Sequence, residues 1–218
     1  MIVITGASSG VGLELARLYK KAGKKVVNIS RSKSEAADIN ILENLREGPE
    51  IIKVAKAVEA INEPIEAIIN CIGVYNQEKF GKISEDEIKR LMSTNVKAPM
   101  LLLSSLIDRI KKDEADVLNV ISKAGVYGSS SNPVYVASKF AERGFTLSLQ
   151  EELKATKSRV ISFCPGGINT GLFGKASADI NTTGWMDPAD IALFIKQILD
   201  LPKSMEVSEV LINRKSIK

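Results

Sequence analysis

The chain has 218 residues, 44% of them hydrophobic and 26% charged, with a formal net charge of +4. That is the make-up of one soluble globular domain with a full core; no apolar run approaches the ~20 residues that span a bilayer, and the basic residues are too scattered to suit a nucleic-acid partner. Histidine is absent, which excludes Ser-His-Asp and Cys-His nucleophilic sites and His-ligated metal centres, and leaves Tyr, Lys, a carboxylate or water to move a catalytic proton.

The apolar run Ile2–Thr5 predicts a first strand. "MIVITGASSG" has no basic n-region or cleavage site, which points to a cytoplasmic protein. The turn "TGASSGVG" (5–12) then leads into a helical pattern over 11–23. Gly6, Gly10 and Gly12 allow a sharp turn and let backbone N–H groups approach a pyrophosphate, and the helix N-terminus adds partial positive charge. With Ser8, Ser9 and Val11 they form a candidate dinucleotide site. A ligand-free Gly/Ser turn is the plainer alternative, but the strand–turn–helix context favours binding. The second strand (25–30) ends in "NISRSK". An acid there would bind the adenosine ribose hydroxyls of NAD, whereas a base takes the 2′-phosphate of NADP. No carboxylate is present; Ser30, Arg31 and Lys33 are, so NADP(H) is favoured over NAD(H).

Residues 32–50 must hold the third strand, and only "ADINI" (37–41) has a strand pattern; the helix that often precedes such a strand is missing or vestigial. A helix over 49–61 leads to a fourth strand within 65–73, ending in "NCIG" with Asn70 and Gly73. Ser84, with Glu87 three residues on, opens a helix over 84–96 that carries Asn95. A fifth strand (115–122) ends at Ser122, and the helix over 135–153 begins "YVASK", with Tyr135 and Lys139 one turn apart on one face. A sixth strand (159–166) runs into "PGGINT" (165–170). Asp187-Pro188 opens a helix over 187–199, and 207–213 is the last strand. Cys71 and Cys164 read as buried free cysteines. Strands apolar on both faces, alternating with helices, indicate a single α/β domain over 1–218 with a doubly wound parallel sheet.

Each of these motifs is weak alone. "TGASSGVG", "NCIG", "STNV", Ser122 thirteen residues before Tyr135, "YVASK" and "PGGINT" nevertheless follow one another in the order and rough spacing of the short-chain dehydrogenase/reductase family, which the chain resembles from Thr5 to about Thr170 and more weakly beyond. The glycine-turn spacing is similar to the reductase branch rather than the extended sugar-nucleotide branch. The resemblance implies a three-layer αβα Rossmann fold and an NADP(H)-dependent oxidoreductase that interconverts a carbonyl and an alcohol on a small molecule. Tyr135 would be the general acid/base, its proton loosened by the Lys139 ammonium. Lys139 would also hold the nicotinamide ribose, Ser122 the substrate oxygen, and Asn95 a water leading from the lysine to solvent. Pro165, Gly166, Ile168 and Thr170 would flank the nicotinamide carboxamide, while Asp38 resembles the acid that meets the adenine amine. Family members usually read Asn-Asn-Ala-Gly where this chain has Asn70-Cys71-Ile72-Gly73; in the family that segment braces the sheet and backs the adenosine side. Residues 171–186 would form a short substrate lid, and a homodimer or homotetramer is implied. Two rivals are a non-catalytic dinucleotide sensor, and an isomerase, epimerase or dehydratase on the same fold.

Overall fold

Among the described residues, 1–174 and 181–215 of the computed structural model, seven strands form one parallel sheet. They are Ile2–Thr5 (β1), Val26–Ser30 (β2), Ile39–Leu42 (β3), Ala67–Asn70 (β4), Asp116–Val120 (β5), Val160–Pro165 (β6) and Glu209–Ile212 (β7), in the order β3-β2-β1-β4-β5-β6-β7. The helices are Gly10–Lys21 (α1), Gly48–Glu59 (α2), Glu85–Met92 (α3), Ala98–Ser105 (α4), Ile107–Asp113 (α5), Pro133–Leu153 (α6), the single turn Gly171–Gly174 (α7) and Pro188–Leu199 (α8).

Successive strand residues face opposite sides of a sheet, and here both sides are covered. Val3, Val27, Ile29, Ile68, Val117 and Val160 pack against apolar residues of α2, α4, α5 and α6 on one face. Ile2, Ile4, Val26, Ile69, Leu118 and Phe163 pack against α1 and α8 on the other. Each buried aliphatic side chain of this kind contributes about 1.5–3 kcal/mol, so the expected doubly wound three-layer fold follows directly from the strand composition. No helix among the described residues is long and apolar enough to cross a membrane.

Residues 31–38 contain no helix, as the sequence suggested. The helix expected over 84–96 runs on instead. After α3 the backbone widens into a π-helical turn at Ser93–Lys97 and continues directly into α4. Pro99 has no N–H to give to the Asn95 carbonyl four residues earlier, and a wider turn accommodates that loss. Ser84 Oγ accepts from Glu87 N at 3.2 Å, while the Glu87 carboxylate is taken by Arg90 instead of closing the reciprocal half of a capping box. Asp187 Oδ1 caps α8 by accepting from Ala189 N at 2.7 Å.

The two edges of the sheet carry different polar chemistry. At the C-terminal edge Thr5, Asn70 and Asn119 are register partners. Asn70 Nδ2 donates to Asn119 Oδ1 at 2.7 Å, and Asn119 Nδ2 donates to Thr146 Oγ1 at 2.8 Å, tying the sheet to α6. At the N-terminal edge the Arg159 guanidinium pairs with Asp116 at 2.7 Å and donates to the carbonyls of Leu199, Leu201 and Met205. That arrangement staples β5 and β6 to the chain leaving α8.

Candidate active site

β1 and β4 are adjacent although α1, β2, β3 and α2 intervene, so the chain's connections diverge there and a crevice opens beyond the strand ends, the usual ligand position in such sheets. A cleft of about 710 Å³ occupies that position. Its walls bring together Gly6, Ser8, Ser9, Gly10, Val11 and Gly12 from the first turn, Ser30 and Arg31 after β2, Gly73 after β4, Ser122 after β5, Tyr135 and Lys139 on α6, and Pro165, Gly166, Ile168 and Thr170 after β6.

The glycine turn fits a nucleotide for steric reasons. Gly6 and Gly10 have φ of +79° and +56°, and a Cβ on Gly12 would lie 2.4 Å from the Gly6 carbonyl oxygen. Ser9, the residue before α1, makes no side-chain cap bond, which leaves the first N–H groups of the helix to an anion. A Cβ on Gly10 would stand 3.2 Å from Thr170 Cγ2, so the glycine turn and "PGGINT" meet at the cleft wall. This bare, donor-rich cradle suits a dinucleotide pyrophosphate.

Tyr135 is buried and packs edge-on against Tyr75, with ring centroids 5.0 Å apart. Lys139 Nζ lies 5.9 Å from the Tyr135 ring centroid. Burial alone would drive the Lys139 ammonium down, but the Glu142 carboxylate and the Tyr135 phenol raise it above its ordinary range. Ser122 Oγ accepts from Ala124 N at 3.1 Å, which fixes the hydroxyl at the strand end and leaves its own proton to donate. Asn95 is wholly buried and is not part of the cleft wall. Its Oδ1 accepts from Val74 N at 2.8 Å, and its Nδ2 donates to Val74 O and Ser138 Oγ, both at 3.0 Å, so the side chain clamps the segment after β4 against α6. Asn70 likewise supports the wall from behind: it belongs to the polar row, in which Thr5 Oγ1 accepts from Cys71 N and Ile72 N.

Asp38 corrects the sequence reading. It precedes β3, at the N-terminal edge, where Oδ2 accepts from Val26 N at 2.8 Å, and it does not reach the cleft. The chain enters the cleft after β3 at Glu43, Asn44, Leu45 and Arg46, none of which the sequence reading singled out. The weak pattern of this short strand hid where it ended. Tyr75 and Asn76 also line the cleft without any motif to announce them. Glu142, which pairs with Lys139, carried a readable signal in its spacing of three residues along one helix. Of the expected lid, Leu172 lines the cleft, and a Cβ on Gly167 would meet the Trp185 ring at 2.7 Å; residues 175–180 lie outside the described residues. Burial pushes the Cys71 thiol up to about 12 and the Cys164 thiol up to about 11, so neither is a nucleophile at neutral pH. Both are free, and no metal-holding cluster of His, Cys, Asp or Glu occurs among the described residues.

With this geometry in place, the comparisons with known proteins agree in kind. The family model described as short chain dehydrogenase matches residues 1–181. An uncharacterized oxidoreductase of Staphylococcus aureus (strain N315) is 26% identical over 222 residues, covering 95% of this chain and 94% of that protein. A short-chain dehydrogenase/reductase structure from Vibrio parahaemolyticus is 26% identical with a TM-score of 0.85, covering 99% of this chain and 100% of that one. The closed form of a serine dehydrogenase complexed with NADP+ is similar in fold, with a TM-score of 0.86 at 22% identity and coverage of 97% and 94% of the two chains.

Proposed function

This chain belongs to the short-chain dehydrogenase family and is an oxidoreductase of it; on that premise we propose that it interconverts a carbonyl and an alcohol on a small molecule with NADP(H). The observation that carries this reading is the convergence of Ser122, Tyr135 and Lys139 in the same cleft as the glycine turn. A purely sensory binding protein would have no use for that set.

Bound in the cleft, NADPH would supply the reducing equivalent, and the protein's part is positioning and proton transfer. The glycine turn and the start of α1 would hold the pyrophosphate, and the "PGGINT" segment the carboxamide end, with Thr170 as its hydroxyl donor. Lys139 would present its ammonium to the ribose hydroxyls. Ser122 donates to the substrate oxygen as negative charge develops on it. Tyr135 delivers the proton to that oxygen in reduction and accepts it in oxidation. Asn95 acts through its clamp on the Val74 segment, which keeps the wall opposite α6 in place. The preference for NADP(H) rests on Arg31 and is supported by Arg46, which lines the cleft after the neighbouring strand; two guanidinium groups suit a 2′-phosphate. Exposed Phe140 and Leu147 on α6 support self-association through the long helices, which sedimentation would measure.

The test follows NADPH absorbance against a panel of aldehydes, ketones and acyl thioesters, with NADPH and NADH affinities measured beside it. Carbonyl-dependent NADPH oxidation is expected, with NADPH bound more tightly. Tighter NADH binding overturns the cofactor preference. Failure of the whole panel with NADPH bound overturns the carbonyl chemistry.

A further inference from the structure

A second charge sits behind the ammonium of Lys139. Glu142 Oε2 lies 2.6 Å from Lys139 Nζ, and the two side chains are 1% and 3% exposed. Lys139 lines the cleft; Glu142 does not. The turn of α6 that carries Glu142 is itself fixed, because its carbonyl accepts from Thr146 Oγ1 at 2.7 Å and Thr146 joins the polar row across the sheet. Among the described residues, the other hydrogen bond of Lys139 Nζ is a long one, 3.5 Å, to the Val120 carbonyl. A full carboxylate in a dry interior is costly unless its charge is used.

The groups around this pair leave few other charges to consider. From α6 comes the Tyr135 phenol. From β6 comes Cys164, and from the segment after β4 come Cys71 and the Tyr75 phenol, whose ring packs on Tyr135; burial raises all three. Beyond Cys164, Glu209 of β7 is held by Arg143 at 2.6 Å. Burial pushes the Glu142 carboxyl up while the Lys139 ammonium draws it down; at 2.6 Å from that ammonium, Glu142 is the acidic group that faces it directly. It draws a field opposite in sign to that of Lys139 at the phenol, and the proton shared by two strongly interacting groups belongs to the pair rather than to either one.

We propose that Glu142 is a positioning residue that holds the Lys139 ammonium at the cleft wall and offsets its charge, so that the Tyr135–Lys139 pair keeps its proton to higher pH than the ammonium alone would allow. The proposal rests on the reading of Tyr135 and Lys139 as the proton-handling pair. Its consequence is that carbonyl reduction, which needs the proton in place, persists further into alkaline conditions, and alcohol oxidation begins at higher pH.

The test is an NMR titration of the cofactor-free protein with labelled tyrosine rings and lysine side chains, its signals assigned through Tyr135→Phe and Lys139→Met. In Glu142→Gln and Glu142→Val, two variants that remove the charge with different packing, the first proton loss from the pair should move about one pH unit lower than in the wild type. Glu142→Asp, which keeps the charge, should stay close to the wild type. No movement, or movement upward, in a variant that folds overturns the proposal and leaves Glu142 a packing residue. Should neither neutral variant fold, the reciprocal measurement decides: the labelled Glu142 carboxyl should titrate higher in Lys139→Met than in the wild type, and an unchanged carboxyl contradicts the proposal. Because the titration contains no substrate, its outcome is separate from that of the turnover panel. Where turnover is found, the alkaline limb of the reduction profile should move with the titration.

Discussion

Two buried ion pairs sit at opposite edges of the same sheet, and they are built differently. At the N-terminal edge Arg159 gives its donors to Asp116 and to four main-chain carbonyls, and Lys203 supplies Asp116 with a second cation at 2.6 Å. Both carboxylate oxygens of Asp116 are hydrogen-bonded there, and none of the three residues lines the cleft of the candidate site. At the C-terminal edge Lys139 has one carboxylate partner and a long contact to a carbonyl, on a wall open to a cleft. An ammonium has three donors, so this one has donors to give to a ligand. On the proposed function, the contrast separates a charge that holds the fold from one kept available for chemistry, and burial and pairing alone do not distinguish the two.

That contrast can be broken by substitution. The largest effect is expected from Arg159→Met, which should cost about 3 kcal/mol in denaturant unfolding, the low end for a broken buried pair because Lys203 still faces Asp116. Turnover per folded molecule should be unchanged; a loss of turnover would erase the division between the edges. Lys139→Met should lower turnover by about a hundredfold, or about 2.7 kcal/mol in barrier, on top of the stability lost by leaving Glu142 buried without its cation, and measured kcat on folded protein checks it. Arg31→Ala should weaken NADPH binding by about tenfold and leave NADH binding unaltered, as read by fluorescence titration.

The smallest effect concerns a further structural pair near the N-terminal edge. Burial would raise the Asp113 carboxyl, but the Ile65 N–H and Arg109 outweigh burial and hold it below the usual range. A lowered folded-state value means stability present above about pH 4 and lost as pH falls further. Asp113→Asn should therefore lose less stability than the wild type between about pH 4 and pH 2 in acid unfolding. An equal loss would remove Asp113 from the set of structural charges.

Much of this was legible in the chain. Ile2 and Ile4 alternate with Val3, and both sets are apolar, which is enough to require helices on both faces of the sheet. The glycine turn, Ser122, Tyr135, Lys139 and "PGGINT" could be found by spacing because each follows a strand end or starts a helix. The misplaced Asp38 shows the limit. β3 is only four residues long and partly exposed, so its apolar pattern could not say where the strand began and ended. The helices α4 and α5 left little periodicity to read, since Leu102, Leu103 and Leu106 are all buried and Pro99 looks like a stop. Glu142 is three residues from Lys139, a spacing that on most helices marks a solvated pair; only the packing of α6 against β6 makes it a buried one.

The central claim is that Tyr135 is the proton-transferring group beside a bound dinucleotide. Its most direct test is Tyr135→Phe, compared with the wild type for NADPH binding and for carbonyl-dependent NADPH oxidation in one preparation. Affinity within a few-fold of the wild type and turnover reduced by about 10²–10⁴ are expected. A Tyr135→Phe protein that binds NADPH and turns over like the wild type would contradict it.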